Sequence, residues 1–233
     1  MLELNKIYCM DCLEGLKLIP DNSIDLVLTD PPYGTNDGKG KIVKIGNEYK
    51  NFCDEVGEWD KELLIHYIQE LPRIMKDDTW GVIFTDNMAI SIIWEEIQKT
   101  GMVPRNTYHI IKTDKPPVPR CNFISSVETA IIFTKGRTTV KWRGGSNGDN
   151  GSITRNYEIV NQLAVTETRL HPTQKHITTM RRLIQLFTDE NDTVLDPFMG
   201  SGTTAVACKQ LRRNFIGFEL SQKYVDIANK RLS

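Results

Sequence analysis

The chain has 233 residues, of which 39% are hydrophobic, and its formal net charge is −1. That is ample for a core of one large domain, and the near-neutral balance excludes a surface that grips polyanions everywhere, so any nucleic-acid contact has to be local. No apolar run is long enough to cross a bilayer, and Met1–Lys6 has no basic-then-apolar leader pattern, so a cytoplasmic protein without membrane contact is expected.

Strands and helices are predicted to alternate along the chain. A short strand at Lys6–Tyr8 precedes a helix at Cys12–Leu18. The aliphatic run Ile24–Thr29 reads as a buried strand that stops at Asp30. From Gly34 to Lys50, glycines alternate with Lys39, Lys41, Lys44 and Lys50, which reads as a mobile loop at about 34–58. Helices are expected at Lys61–Met75 and Ala89–Thr100, with a strand at Trp80–Thr85 between them. Tyr108–Lys112 and Thr129–Lys135 read as antiparallel strands at the edge of the sheet. Between 136 and 170 lies a polar, glycine-rich insert carrying Arg137, Lys141, Arg143, Arg155 and Arg169. Loops of this length within a compact domain tend to be functional, and basic side chains in them suit phosphates and base edges. An amphipathic helix at Thr178–Phe187 leads into the last part of the chain.

Five cysteines, an odd number, suggest reduced thiols. Cys9 and Cys12 have metal-like spacing, but no second pair completes a ligand set, so no metal is called for. No Pro-Cys pair occurs, which leaves the covalent cysteine route to cytosine C5 without a visible nucleophile.

Two motifs carry the chemistry. The first is Asp30-Pro31-Pro32-Tyr33, directly after a predicted strand. A carboxylate at a strand's C-terminal end points into the crevice where open α/β sheets bind ligands. Prolines donate no N–H, which leaves their carbonyls as acceptors, and Tyr33 adds a flat ring. This set suits a planar base with an exocyclic amine, swung out of its duplex. The second motif is Thr193-Val194-Leu195-Asp196-Pro197-Phe198-Met199-Gly200-Ser201-Gly202-Thr203-Thr204. It reads as strand, glycine loop and helix start, with Gly200 and Gly202 letting backbone approach a ligand. A strand at Asn214–Glu219 follows, and then a helix with Ser221 as N-cap. An acid at the end of this second strand is placed for ribose hydroxyls. The spacing of a dinucleotide loop and the Gly-Lys-Thr of a phosphate loop are both missing, which disfavours NAD and ATP.

With these motifs in this order, and His171-Pro172-Thr173-Gln174-Lys175 before the second, the chain resembles the β class of S-adenosylmethionine-dependent amino-group DNA methyltransferases. The likeness runs from about Lys6 to Leu232. It departs at Gly34, where the family often has Asn, and at His176, where it often has Pro. The resemblance implies a single domain over 1–233, with a Rossmann-like methyltransferase fold: α/β, a mixed but mostly parallel sheet with helices on both faces. It implies S-adenosylmethionine as cofactor and double-stranded DNA as partner, and it leaves room for a homodimer and a cognate restriction enzyme. The insert at about 136–170 would recognise the target. Asp30, Pro31, Pro32 and Tyr33 would form the catalytic set, with Asp30 and the Pro31 carbonyl taking the two amine hydrogens and Tyr33 stacking on the extruded base. Cofactor contacts would fall on Asp11, Cys12, Asp30, Thr173, Lys175, Asp196, Phe198, Gly200, Ser201, Gly202, Thr203, Glu219 and Leu220. Among these, Asp11 would reach the adenine, Glu219 the ribose, and Asp196, Thr173 and Lys175 the methionine end. Asp before the two prolines leans toward adenine N6 as acceptor and direct in-line transfer. Cytosine N4 is the alternative, and a non-catalytic DNA-binding subunit of the same fold is more remote.

Overall fold

A computed structural model of the chain describes residues 2–32, 42–45, 48–51, 61–87, 89–113, 126–136, 155–160 and 174–233. Its strands are β1 (Lys6–Cys9), β2 (Ile24–Thr29), β3 (Ile42–Ile45), β4 (Glu48–Asn51), β5 (Met75–Thr85), β6 (Val103–Lys112), β7 (Val127–Lys135), β8 (Tyr157–Val160), β9 (Thr193–Asp196) and β10 (Asn214–Glu219). Its helices are α1 (Cys12–Lys17), α2 (Lys61–Ile74), α3 (Ile90–Lys99), α4 (Ile177–Phe187), α5 (Thr203–Gln210) and α6 (Gln222–Leu232).

Eight strands form one sheet in the order β1-β10-β9-β2-β5-β7-β6-β8, and β3 pairs with β4 separately. β1, β10, β9, β2 and β5 run parallel, and β7 is antiparallel to both β5 and β6. This is the mixed, mostly parallel sheet expected. The period-two alternation of a strand sorts its side chains to two cores. Leu26 and Leu28 face Met180, Leu183, Ile184 and Phe187 of α4. Val27 faces the other way, toward Leu16 of α1, Tyr67, Ile68 and Leu71 of α2, and Ile93 and Ile97 of α3. Helices therefore cover both faces, as parallel sheets require. No helix among the described residues is long and apolar enough to cross a membrane.

Three expectations need correction. The helix expected to reach Met75 ends at Ile74, and β5 starts at Met75 rather than at Trp80. The polar stretch Lys76–Thr79 hid that beginning; Asp78 takes a left-handed φ of 57° and the pairing with β2 shifts register between Ile24 and Leu26. β6 and β7 were expected at the sheet edge, but β7 is interior and β8 takes the edge, parallel to β6. β8 is a four-residue strand inside the predicted insert, too short for its pattern to stand out. Finally, within the loop expected at about 34–58, β3 and β4 form an antiparallel pair with Ile42 opposite Asn51 and Ile45 opposite Glu48. The rest of that loop and most of the 136–170 insert lie outside the described residues.

Candidate active site

The strand order reverses between β9 and β2. From β9 the chain continues outward to β10, and from β2 outward to β5, so a crevice opens beyond their C-terminal ends. β2 and β9 are hydrogen-bonded neighbours, with Leu26 opposite Val194 and Val27 opposite Leu195. Thr29 Oγ1 donates to Asp196 Oδ1 at 2.8 Å. The two motifs, far apart in sequence, therefore leave the sheet side by side.

On the β9–β10 side, the glycine loop is held by its neighbours. Gly200 N donates to Glu219 Oε2 at 2.9 Å, and Ser221 N to Glu219 Oε1 at 2.9 Å. Each carboxylate oxygen has one backbone bond and keeps lone-pair capacity for a further donor. Burial pushes the Glu219 carboxyl upward, and the backbone N–H groups of Ser221, Gly200 and Leu220 pull against it. Leu220 next to it is 75% exposed, an apolar surface beside two acceptors. Phe198 stands edge-on to the buried Tyr67 ring, centroids 5.4 Å apart. Arg231 of α6 donates from Nη1 to the Ser201 carbonyl at 2.7 Å and to Thr203 Oγ1 at 3.2 Å. Gln174 Oε1 accepts from Ser201 Oγ at 3.4 Å, which joins the segment before α4 to the loop. An acid with spare acceptor capacity, an exposed apolar side chain and a half-buried aromatic ring fit a nucleoside with ribose hydroxyls and a flat base.

Gly202 is also constrained by packing. Its φ is +82°, and a Cβ there would lie 2.6 Å from Ala228 Cβ of α6. Gly202→Ala is expected to lower stability by about 2–4 kcal/mol through left-handed strain and overpacking. Urea unfolding checks this; a midpoint equal to wild type would refute the packing account.

On the β2 side, Asp30 is half-buried and Pro31 is buried. Lys175 Nζ lies 2.8 Å from Asp30 Oδ2, with the lysine side chain 6% exposed. The same ammonium is 3.7 Å from Glu128 Oε2 and sits over the Phe84 ring at 4.8 Å. Lys112 donates to Glu128 Oε1. Neither Glu128 nor Lys112 stands in a recognisable motif. Tyr33 and Thr173 lie outside the described residues.

A family model for N6/N4 DNA methylases matches residues 24–230. The chain belongs to that family. It is 31% identical to the type II methyltransferase M.HinfI of Haemophilus influenzae over 98% of this chain and 68% of that protein. It is 30% identical to M.HpaI of Haemophilus parainfluenzae over 97% of this chain and 74% of that protein. Among solved structures, the M1.HpyAVI–SAM complex superposes with a TM-score of 0.74 at 30% identity, covering 98% of both chains. The cytosine-N4-specific PvuII methyltransferase superposes with a TM-score of 0.75 at 20% identity over 97% of this chain and 86% of that one, a likeness of fold.

Within this N6/N4 methylase the structure gives several expected site residues other partners. Asp11 accepts the N–H groups of Leu13 and Glu14 at 2.9 and 3.3 Å, so it caps α1. Cys12 is buried, and burial followed by the Asp11 charge pushes its thiol up to about 12. Ser221 stands at the N-cap of α6 without a side-chain capping bond. Lys175, expected at the cofactor carboxylate, is drawn to Asp30. Asp196 is turned inward. It accepts from Thr29, from Thr204 Oγ1 at 2.6 Å and from Phe198 N at 3.1 Å, and it is 3% exposed. It ties β2, the glycine loop and α5 together.

Burial pushes the Asp196 carboxyl from 3.8 up to about 6, against the hydrogen bonds of Thr204, Thr29 and Phe198; the Asp30 charge adds to the rise. The folded state therefore holds a proton that the unfolded chain has released between these two values. This favours the fold at about pH 4, and the advantage fades as pH rises through 6. The full effect is about 3 kcal/mol. Asp196→Asn, which can serve the same partners uncharged, is expected to flatten this slope. Urea unfolding at stepped pH compares the two proteins, and parallel curves from pH 4 to 7 would remove Asp196 as the cause.

Proposed function

We propose that this chain is a site-specific DNA methyltransferase that methylates the exocyclic N6 of adenine in double-stranded DNA. The observation that supports it is that β2 and β9 end side by side, so that Asp30 and the loop held by Glu219 open on the same edge of the sheet. The donor cofactor is S-adenosylmethionine, which when bound supplies a methyl group activated by a sulfonium. Glu219 binds the ribose hydroxyls with its spare lone pairs, Leu220 and Phe198 pack against flat or apolar parts, and the loop backbone from Gly200 to Thr203 lines the methionine end.

Asp30 does the work on the acceptor. An aromatic amine is a poor nucleophile because its lone pair is delocalised into the ring. A carboxylate and the Pro31 carbonyl, accepting both amine hydrogens, favour a more tetrahedral nitrogen. The carboxylate also stabilises the positive charge that develops there, and it does so from a fixed position in a partly dry site. The base reaches the crevice by swinging out of its stack, with Tyr33 as its stacking surface. Asp rather than another residue before the prolines supports adenine. The same reading makes 1–233 one domain, with target recognition in the 136–170 insert and a cytoplasmic location, and it leaves room for a homodimer and a cognate restriction enzyme.

Mass spectrometry of nucleosides after incubating the protein with duplex DNA and S-adenosylmethionine tests the acceptor. N6-methyldeoxyadenosine is the expected product. N4-methyldeoxycytidine would replace the adenine assignment and keep the mechanism, and no methylated nucleoside would reject the reading.

A further inference from the structure

Asp30, Lys175, Glu128 and Lys112 form one chain of alternating charge at the acceptor side of the cleft. β2 supplies Asp30 at its end, the segment before α4 supplies Lys175, β7 supplies Glu128 and β6 supplies Lys112. Lys175 Nζ lies 2.8 Å from Asp30 Oδ2 and 3.7 Å from Glu128 Oε2, and Lys112 takes the other oxygen of Glu128. The Lys175 and Lys112 side chains are 6% and 12% exposed, so water screens these charges poorly. The Phe84 ring beneath Lys175 adds a cation–π contact and closes the ammonium from below.

We propose that Glu128 is a positioning residue for methyl transfer: its charge, set between Lys175 and Lys112, offsets the second ammonium and keeps the cluster around Asp30 neutral. Four formal charges sum to zero with Glu128 ionised. Without it, two ammonium groups face one carboxylate. The excess cation opposes the positive charge that builds on the acceptor nitrogen beside Asp30, whose Oδ2 already lies 2.8 Å from Lys175. Burial alone would push the Glu128 carboxyl up, but the Lys175 and Lys112 cations outweigh it and hold it at about 2. Glu128 is therefore a fixed anion wherever the enzyme works.

This inference rests on the role given to Asp30, and the assay is chosen to separate the two. Labelled methyl groups are followed from saturating S-adenosylmethionine to DNA in a single turnover, counted whichever amine accepts them. Glu128→Gln is expected to slow transfer at least tenfold, with cofactor affinity changed less than threefold. Lys112→Met/Glu128→Gln, which removes both charges, is expected to be at least fivefold faster than Glu128→Gln. A merely structural Glu128 would not be rescued by deleting its partner. Wild-type speed in Glu128→Gln, or a double variant less than fivefold faster than it, overturns the proposal. Should Glu128→Gln not fold, the double variant is compared with the charge-keeping Glu128→Asp: rates within fivefold support the electrostatic role, and a slower double variant overturns it. Failure of the Asp30 reading would show differently, as undiminished transfer by an Asp30 variant.

Discussion

Asp30→Ala is expected to lower methyl transfer by about a thousandfold or more while cofactor affinity stays within a few-fold of wild type. Removing one preorganised group of this kind typically costs 10²–10³ in rate, and loss of the amine's second anchor adds misplacement of the reacting nitrogen. The fold should survive, because Lys175 keeps a carboxylate partner in Glu128 at 3.7 Å. Single-turnover methylation and isothermal titration with S-adenosylmethionine measure the two quantities separately. Turnover like wild type would take Asp30 out of the mechanism.

Glu219→Ala is expected to act on the other half of the site, weakening cofactor affinity about 100-fold. The variant loses the two acceptors assigned to the ribose, and it also orphans the N–H groups of Gly200 and Ser221 that now end on this carboxylate. Hydrogen bonds to a charged group contribute roughly 1.5–3 kcal/mol each, and about 3 kcal/mol corresponds to this loss. At saturating cofactor the rate should fall much less than affinity, since Glu219 does not touch the acceptor side. Unchanged affinity by calorimetry would reject the ribose role. A Glu219→Gln variant, which keeps one oxygen acceptor, should fall between the two.

The parts of the site that the sequence revealed share one property: their signal is local. Ile24–Thr29 is an unbroken apolar run, and Asp30 with two prolines ends it, so strand and carboxylate are read together. Thr193–Asp196 followed by Gly200 and Gly202 is the same kind of signal, and Asn214–Glu219 repeats it. The helix faces were legible for the same reason. Met180, Leu183, Ile184 and Phe187 recur at helical spacing, and all four are buried on α4. Once both strands were placed in a parallel sheet, their C-terminal ends had to share an edge.

What was hidden depends on partners brought from elsewhere. Glu128 lies just before the strand expected at Thr129–Lys135 and carries no motif, and only the packing of β6, β7 and the segment before α4 puts it between two ammonium groups. Asp196 and Glu219 end neighbouring strands and look alike in sequence. Asp196 meets Thr29, Thr204 and a backbone N–H and turns inward, whereas Glu219 stays at the cleft beside the exposed Leu220. Gly202 was read as a glycine that lets backbone approach a ligand, and the passage of α6 against it adds a packing requirement that the sequence did not show.

The order of residues by itself thus determined the strands that lead into the two acid-ended motifs, the helix faces and the family, because each is carried by neighbours within a few residues. Only the tertiary structure decided which acid is buried among protein partners and which stays partly exposed, and which lysine holds Asp30. A carboxylate's state and availability are set by the charges, donors and burial around it, and here those come from strands and helices distant along the chain.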